Sequence, residues 1–154
     1  MELFHYNWQV RDEWFVWCKE IEEAEWTKER IGGMKSFKET LLHIIDAELT
    51  WVNYARDTKV IYNNRESLKM LEDIRGYSEF VKIHTKELLD QLPNDPAQHQ
   101  VKITTRNGKV VSFSLTKILQ HIVTHEIHHI GQLSVWAREL GKQPVNCDLI
   151  IRTL

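Results

Sequence analysis

Four of the chain's eight histidines lie within nine consecutive positions, from His121 through His125 and His128 to His129. The apolar residues around them recur at helical spacing, which predicts a helix. Residues four apart share one helix face, with Cβ atoms about 5–6 Å apart, so His125 and His129 can direct imidazole nitrogens at one point. A mononuclear site needs a third ligand, and His43, in another helical segment, is the best candidate. The spacing therefore predicts a metal site formed by His43, His125 and His129.

The chemistry of such a site follows from its ligands. Three neutral imidazoles do not balance the charge of a divalent cation and leave coordination positions open, which is typical of catalytic rather than structural sites. A cation held in this way lowers the pKa of bound water to about 7 or holds a thiol as thiolate. Histidine ligation suits several metals; we expect zinc or nickel first, with iron, manganese or copper as further candidates. Asp46 and Gln132, each three residues after a predicted ligand, are candidates for outer contacts to the histidines.

The same histidines allow other interpretations. His121 is an alternative third ligand, whereas His128 is rotated about 100° from His129 and is expected near the surface or in a hydrogen bond. His125 and Glu126 together with His129 also match the H-E-x-x-H motif of zinc peptidases, in which the glutamate is the general base. The glycine and third histidine of the extended motif are missing from the sequence.

Three further alternatives stay open. A di-iron carboxylate bundle needs two E-x-x-H motifs and two more inward glutamates, and the histidine cluster contains one such motif, Glu126 with His129. A non-catalytic metal-binding or stress-associated bundle protein would use the metal only for stability. A metal-free helical protein would keep the histidines as polar groups of its core.

The composition limits the classes of protein to which the chain can belong. With 154 residues and 42% hydrophobic content, it is expected to form one domain over residues 1–154. The net charge is only −2, and the Lys and Arg residues form no basic stripe, which argues against nucleic-acid binding. No window approaches the roughly 20 apolar residues of a membrane span, and the first residues do not resemble a signal peptide. Two cysteines are too few for a disulfide framework, so we expect a cytoplasmic protein. The predicted metal site, with its open coordination positions, leads us to expect a small-molecule substrate.

Four amphipathic segments are predicted to be the helices that position the histidines. Ser36 and Glu39 form a capping box before the second segment. Ser114 is the predicted N-cap of the last helix, and Gly141 is predicted to end it. The predicted helices are His5–Glu25, Phe37–Arg56, Arg65–Gln91 and Leu115–Leu140.

Between Val101 and Phe113, β-branched residues alternate with polar residues around an Asn-Gly pair, which indicates a hairpin. A three-residue loop that ends at Gly108 opposes Ile103 to Val111 and Val101 to Phe113. This register places all four apolar side chains on one face, so we favour it. The predicted fold is therefore all-α, a four-helix bundle with a small β-hairpin inserted before the last helix.

Three stretches carry a resemblance to a known family. They are Phe4-His-Tyr6-Asn7-Trp8, Ser36-x-x-Glu-Thr-Leu-x-His43-Ile-x-x-x-Glu48-x-x-Trp51 and His121-Ile-Val-x-His125-x-x-His128-His129-x-Gly131-Gln132-Leu. Together they resemble the DinB family, also called DinB/YfiT-like, which consists of metal-dependent four-helix bundles. The resemblance covers nearly the whole chain, and the motif of the last helix is its most specific part.

The resemblance has implications for the site and the activity. It implies a metal triad with one histidine from the second helix and two from the last, which fall on His43, His125 and His129. Several relatives resemble thiol-dependent S-transferases or isomerases that use bacillithiol, mycothiol or glutathione, whereas many have no assigned reaction. Homodimers are common among them, so a homodimer is expected here. This chain has Ile130 where an arginine is frequent, and the role of that arginine does not carry over.

Overall fold

The computed structural model describes residues 2–105 and 107–154. Its helices are α1 (Glu2–Cys18), α2 (Glu23–Thr27), α3 (Phe37–Ala55), α4 (Leu71–Asp90) and α5 (Leu115–Glu139), and its strands are β1 (Gln100–Thr104) and β2 (Val110–Ser114). Short 3-10 helices span Arg65–Ser67 and Leu149–Ile151. The predicted fold class, a helical bundle with a small hairpin before the last helix, is confirmed. No helix within the described ranges combines the length and apolar character needed to cross a membrane.

The four long helices of the described chain pack around a common core. Helix α3 packs against α4 and α5, and α1 contacts the same two helices, so the order around the bundle is α1, α4, α3, α5. The core divides along the bundle axis into two apolar clusters. One cluster is centred on Trp14, Phe37 and Leu133, and the other joins Trp8 and Ile118 to the inner face of the hairpin.

Local signals in the sequence determine where the two histidine-bearing helices begin. Ser36 Oγ accepts a hydrogen bond from the Glu39 backbone N–H (3.1 Å) at the start of α3. Ser114 Oγ accepts from the Lys117 backbone N–H (3.3 Å) at the start of α5. Each bond satisfies a backbone donor that the first turn of a helix leaves unpaired. Gly141, with φ +69°, adopts the left-handed conformation typical of the residue after a helix.

The hairpin has the predicted register. Ile103 lies opposite Val111 and Val101 opposite Phe113, and the two β1 residues of these pairs are buried. The predicted three-residue loop includes Arg106, which lies outside the described residues. The hairpin contacts α3 through β1 and α5 through β2, so it covers one end of the pair of helices that bears the histidines.

Two predicted helices have different bounds in the structure. The first was expected to reach Glu25, but α1 ends at Cys18 and a separate short helix follows. The turn between them lets Trp26 bury its side chain in the core at 7% exposure, and this burial outweighs the helix propensity of the intervening residues. The third helix was expected to begin at Arg65, but α4 begins at Leu71, after a turn that buries Leu68.

Candidate metal centre

His43 of α3 and two histidines of α5, His125 and His129, meet in the groove between these helices. Each offers a ring nitrogen, and the three nitrogens lie within 4.8 Å of one another. The Nε2 atoms of His43 and His125 are 3.2 Å apart. Ligand nitrogens at about 2.1 Å from a tetrahedral cation stand about 3.4 Å apart, so small ring rotations bring all three donors onto one cation.

The helices present these rings because of how their other residues are used. In α3, the neighbours Leu42 and Ile44 are 1% exposed and pack into the core, while His43 is half-buried on the side that faces α5. In α5, Ile122 and Leu133 enter the core. The histidines lie at the border of each helix's apolar face, so their rings enter the groove between α3 and α5 rather than the core.

Gln132 fixes the orientation of His129. Its Oε1 accepts a hydrogen bond from His129 Nδ1 (2.8 Å), and its Nε2 donates to His128 Nε2 (3.1 Å). A proton on His129 Nδ1 leaves the lone pair on Nε2, the nitrogen that is free to bind a cation. An outer contact of this kind was predicted for Gln132, and His128 takes part in a hydrogen bond as expected.

A loop before α3 confines Gln132 in turn. Gly33 in this loop has φ +52°, and a Cβ atom at this position would lie 2.5 Å from Gln132 Oε1 and 3.2 Å from the Trp136 ring. Trp136 Nε1 donates to the Ile31 carbonyl (3.2 Å), which holds the loop against α5. Gly33 lies so close to Gln132 Oε1 that the amide keeps its place beside His129 only because position 33 has no Cβ atom.

Burial and mutual repulsion favour the neutral form of the three imidazoles. Burial lowers the pKa of His125 to about 4, and the nearby His129 and His43 add to the shift. The pKa values of His43 and His129 are also lowered, chiefly by burial. Neutral imidazole is the form that binds a metal, so the donors are ready at pH 7 without losing protons.

Asp46 and His121 were also candidates for roles near the site. The Asp46 carboxylate accepts a hydrogen bond from Tyr77 Oη (2.8 Å) and pairs with Arg65. Its charge raises the pKa of His43, although burial outweighs this effect. The His121 ring lies 5.5 Å from that of His125 and packs edge-on against Trp51. The structure thus places His121 beside the triad rather than within the group of three converging nitrogens.

Comparison with known proteins identifies the family of the chain. The model of the DinB family matches residues 1–153. The chain belongs to the DinB family. It is 38% identical to YizA of Bacillus subtilis (strain 168) over 154 residues, which cover 100% of this chain and 96% of that protein. It is 24% identical to YjoA of the same bacterium over 106 residues, 69% of this chain and 68% of YjoA. Both relatives are named as uncharacterized proteins, so their names indicate no reaction.

A buried ionic network lies in the bundle core of this DinB protein, next to the histidine triad. Arg11 is 0% exposed, and its guanidinium donates to both oxygens of Glu126, at 2.8 Å from Nε and 2.6 Å from Nη2. Nη2 also contacts Glu48 Oε2 at 2.6 Å. Burial raises the pKa of Glu126, and Arg11 opposes this shift. Both Glu126 oxygens are engaged, so the peptidase interpretation lacks its general base.

The network also fixes the helices relative to one another. Arg11 donates to Ser78 Oγ (3.1 Å) in α4, and Glu48 Oε1 accepts from Trp8 Nε1 (3.1 Å) and Thr85 Oγ1 (2.6 Å). All four long helices therefore contribute, and a charge left unpaired here would be costly. Sequence reasoning missed Arg11; the available signal was a charged residue within the apolar face of the first helix.

Proposed function

We propose that this DinB protein is a metal-dependent enzyme in which His43, His125 and His129 hold a divalent cation. Zinc or nickel is the first candidate, and iron, manganese or copper are further candidates. A bound cation of this type supplies Lewis acidity that lowers the pKa of a low-molecular-weight thiol or of water. The reaction is the attack of that nucleophile on a small electrophile.

The convergence of three histidine nitrogens without a fourth protein ligand carries this proposal. In the part of the chain that the structure describes, no cysteine or carboxylate joins the group. Structural zinc sites are usually closed by four protein ligands, whereas catalytic sites keep a position for water or substrate. Half-burial of His43 and His125 leaves a path by which a small molecule reaches such a position.

The protein's own residues support catalysis more than a purely structural role for the metal. Gln132 directs His129 Nε2, and burial keeps the imidazoles neutral. The Arg11 network already joins the four long helices, so the bundle does not need a cation to bring α3 and α5 together. The alternative, a non-catalytic metal-binding or stress-associated bundle, uses the same ligands without turnover.

No side-chain thiol is positioned to act as the nucleophile. Cys18 is buried at 5% exposure, and burial raises its pKa. Cys147 is half-buried and its pKa is also raised by burial. The sulfur therefore comes from a cosubstrate in the proposed reaction. A homodimer and a cytoplasmic location stay predictions.

Metal analysis followed by an activity screen tests the proposal. Protein purified without added metal is expected to contain close to one equivalent of a divalent metal, and His125→Ala is expected to lose it. Metal-loaded protein is then incubated with bacillithiol or glutathione and a panel of electrophiles. His84→Ala, at a partly exposed histidine of α4 outside the triad, is the matched control. Equal rates for the wild type, His125→Ala and the buffer would refute the enzymatic proposal, and metal binding without turnover would favour the non-catalytic alternative.

A further inference from the structure

Beyond the three histidines, the facing sides of α3 and α5 carry a second pair of rings, Trp51 and His121. Trp51 follows His43 by two helical turns, and its indole packs edge-on against His121, with ring centroids 4.8 Å apart. His121 precedes His125 by one turn, and their ring centroids are 5.5 Å apart. The two helices therefore run antiparallel here. The His121 ring lies next to both His125 and Trp51, so the path from the triad to Trp51 runs over this ring.

A cavity of about 200 Å³ lies at the far end of this path. Its lining consists of Trp51, Phe113, Lys117, Ile118 and His121. The Trp51 and Phe113 rings meet edge-on at 6.3 Å, and Ile118, which is 1% exposed, contributes an apolar surface. An apolar cavity of about 150 Å³ accommodates benzene, so this one has room for a phenyl ring or a short alkyl chain.

Lys117 is the charged residue among the five that line the cavity. Lys117 is exposed, and its Nζ lies 5.9 Å from the centroid of the Phe113 ring. Two carboxylates of α3 already have cationic partners: Asp46 pairs with Arg65, and Glu48 pairs with Arg11. An anionic group beside Lys117 thus gains an attractive partner without approaching a free carboxylate of α3.

We infer that this cavity, defined by its five lining residues, is a subsite for the body of an organic carboxylate whose other end reaches the metal. The apolar part of the ligand lies against the Trp51 and Phe113 rings, and its carboxylate pairs with Lys117. Eight residues separate Lys117 from His125, about 12 Å along the helix, so the ligand spans roughly this length. The subsite rests on the proposed function, because the cation anchors one end of the ligand.

Hydroxamates of graded length and charge test the subsite, because the hydroxamate group binds divalent metals. The cobalt(II)-loaded protein is titrated with acetohydroxamate, octanohydroxamate and the monohydroxamate of octanedioic acid, and binding is followed by the visible cobalt spectrum and by calorimetry. Octanohydroxamate is expected to bind at least about tenfold more tightly than acetohydroxamate, because its chain buries apolar surface. The terminal carboxylate is expected to add about three- to fivefold, as a partly exposed ion pair does.

Two variants assign these gains to the lining residues. Lys117→Met is expected to remove the advantage of the carboxylate and keep that of the chain, whereas Trp51→Ala is expected to reduce the advantage of the chain. Lys142→Met, at an exposed lysine beyond the end of α5, should behave as the wild type. The cobalt spectrum of each variant, recorded without ligand, reports whether the triad is intact.

The outcomes separate the subsite from the proposed function. If all three hydroxamates perturb the cobalt spectrum with equal affinity, or if Lys117→Met and Lys142→Met behave alike, the subsite is refuted and the metal centre stands. If the protein binds no cobalt, the proposed function is refuted together with the subsite.

Discussion

Replacement of Gly33 by alanine is expected to weaken metal binding without a contact to any metal ligand. The added Cβ would lie 2.5 Å from Gln132 Oε1, well inside van der Waals contact. Because the Gln132 amide is the end of a flexible side chain, it moves away more easily than the backbone does. Its hydrogen bond with His129 Nδ1 (2.8 Å) is then lost, and the imidazole is free to rotate or to place its proton on Nε2.

The magnitude follows from two separate effects. An L-residue in the left-handed conformation costs about 1–2 kcal/mol of folding stability, which Gly33→Ala incurs at φ +52°. Loss of an outer partner of a metal-binding histidine typically reduces metal affinity about 10- to 100-fold, or about 1.4–2.8 kcal/mol. The first effect acts on the stability of the metal-free protein, and the second acts on metal affinity.

Gly32 provides a matched control, since it also has a positive φ, +83°, but its Cβ would meet no atom within 4 Å. Both alanine variants should lower the free energy of unfolding of the metal-free protein in urea. In competition with a chromophoric chelator for zinc, only Gly33→Ala should lose about 10- to 100-fold in affinity. Gln132→Leu should reproduce this loss, and combining it with Gly33→Ala should add little, because both act on one hydrogen bond. Equal zinc affinity for the two glycine variants would refute the reasoning.

Three further outcomes are expected. Metal at 100 times its dissociation constant should stabilise the fold by about 2.7 kcal/mol, and the melting temperature should rise until chelator is added. His43→Ala should abolish this rise in melting temperature, and a rise that persists in this variant would contradict the triad. The metal-free protein should lose stability as the pH falls below about 6.5. The folded state keeps the His125 pKa at about 4, so the unfolded chain takes up a proton on His125 at a higher pH than the folded protein does. Urea unfolding at pH 7.5 and pH 5 measures the loss, and His125→Gln should reduce the difference between the two pH values. Arg11→Met should lower the free energy of unfolding in urea by about 3–5 kcal/mol, because it leaves the Glu48 and Glu126 carboxylates buried without their counter-charge. Glu126→Gln should lower it by less, and the opposite order would refute this account of the network.

Some features of the bundle follow from short-range patterns. The helical spacing of apolar residues predicted four long helices, and the Ser36 and Ser114 caps confirm the expected starts of α3 and α5. The break after Cys18 and the late start of α4 were not predictable in this way. No proline or glycine lies between Cys18 and Glu23 to break the helix. The chain turns because the Trp26 side chain packs into the core, against residues that are distant from it in sequence.

The sequence by itself placed His125 and His129 on one face, because residues four apart share a face in any helix. It also determined the register of the hairpin, since only one pairing brings the four apolar residues to one face. Only the tertiary structure brought His43, rather than His121, into the group of converging nitrogens. Only the tertiary structure decided that Arg11 neutralises Glu126, that Gly33 approaches Gln132, and that His121 lies beside Trp51. These contacts join separate helices and loops, and their geometry depends on how the whole bundle packs rather than on the spacing of residues along one element.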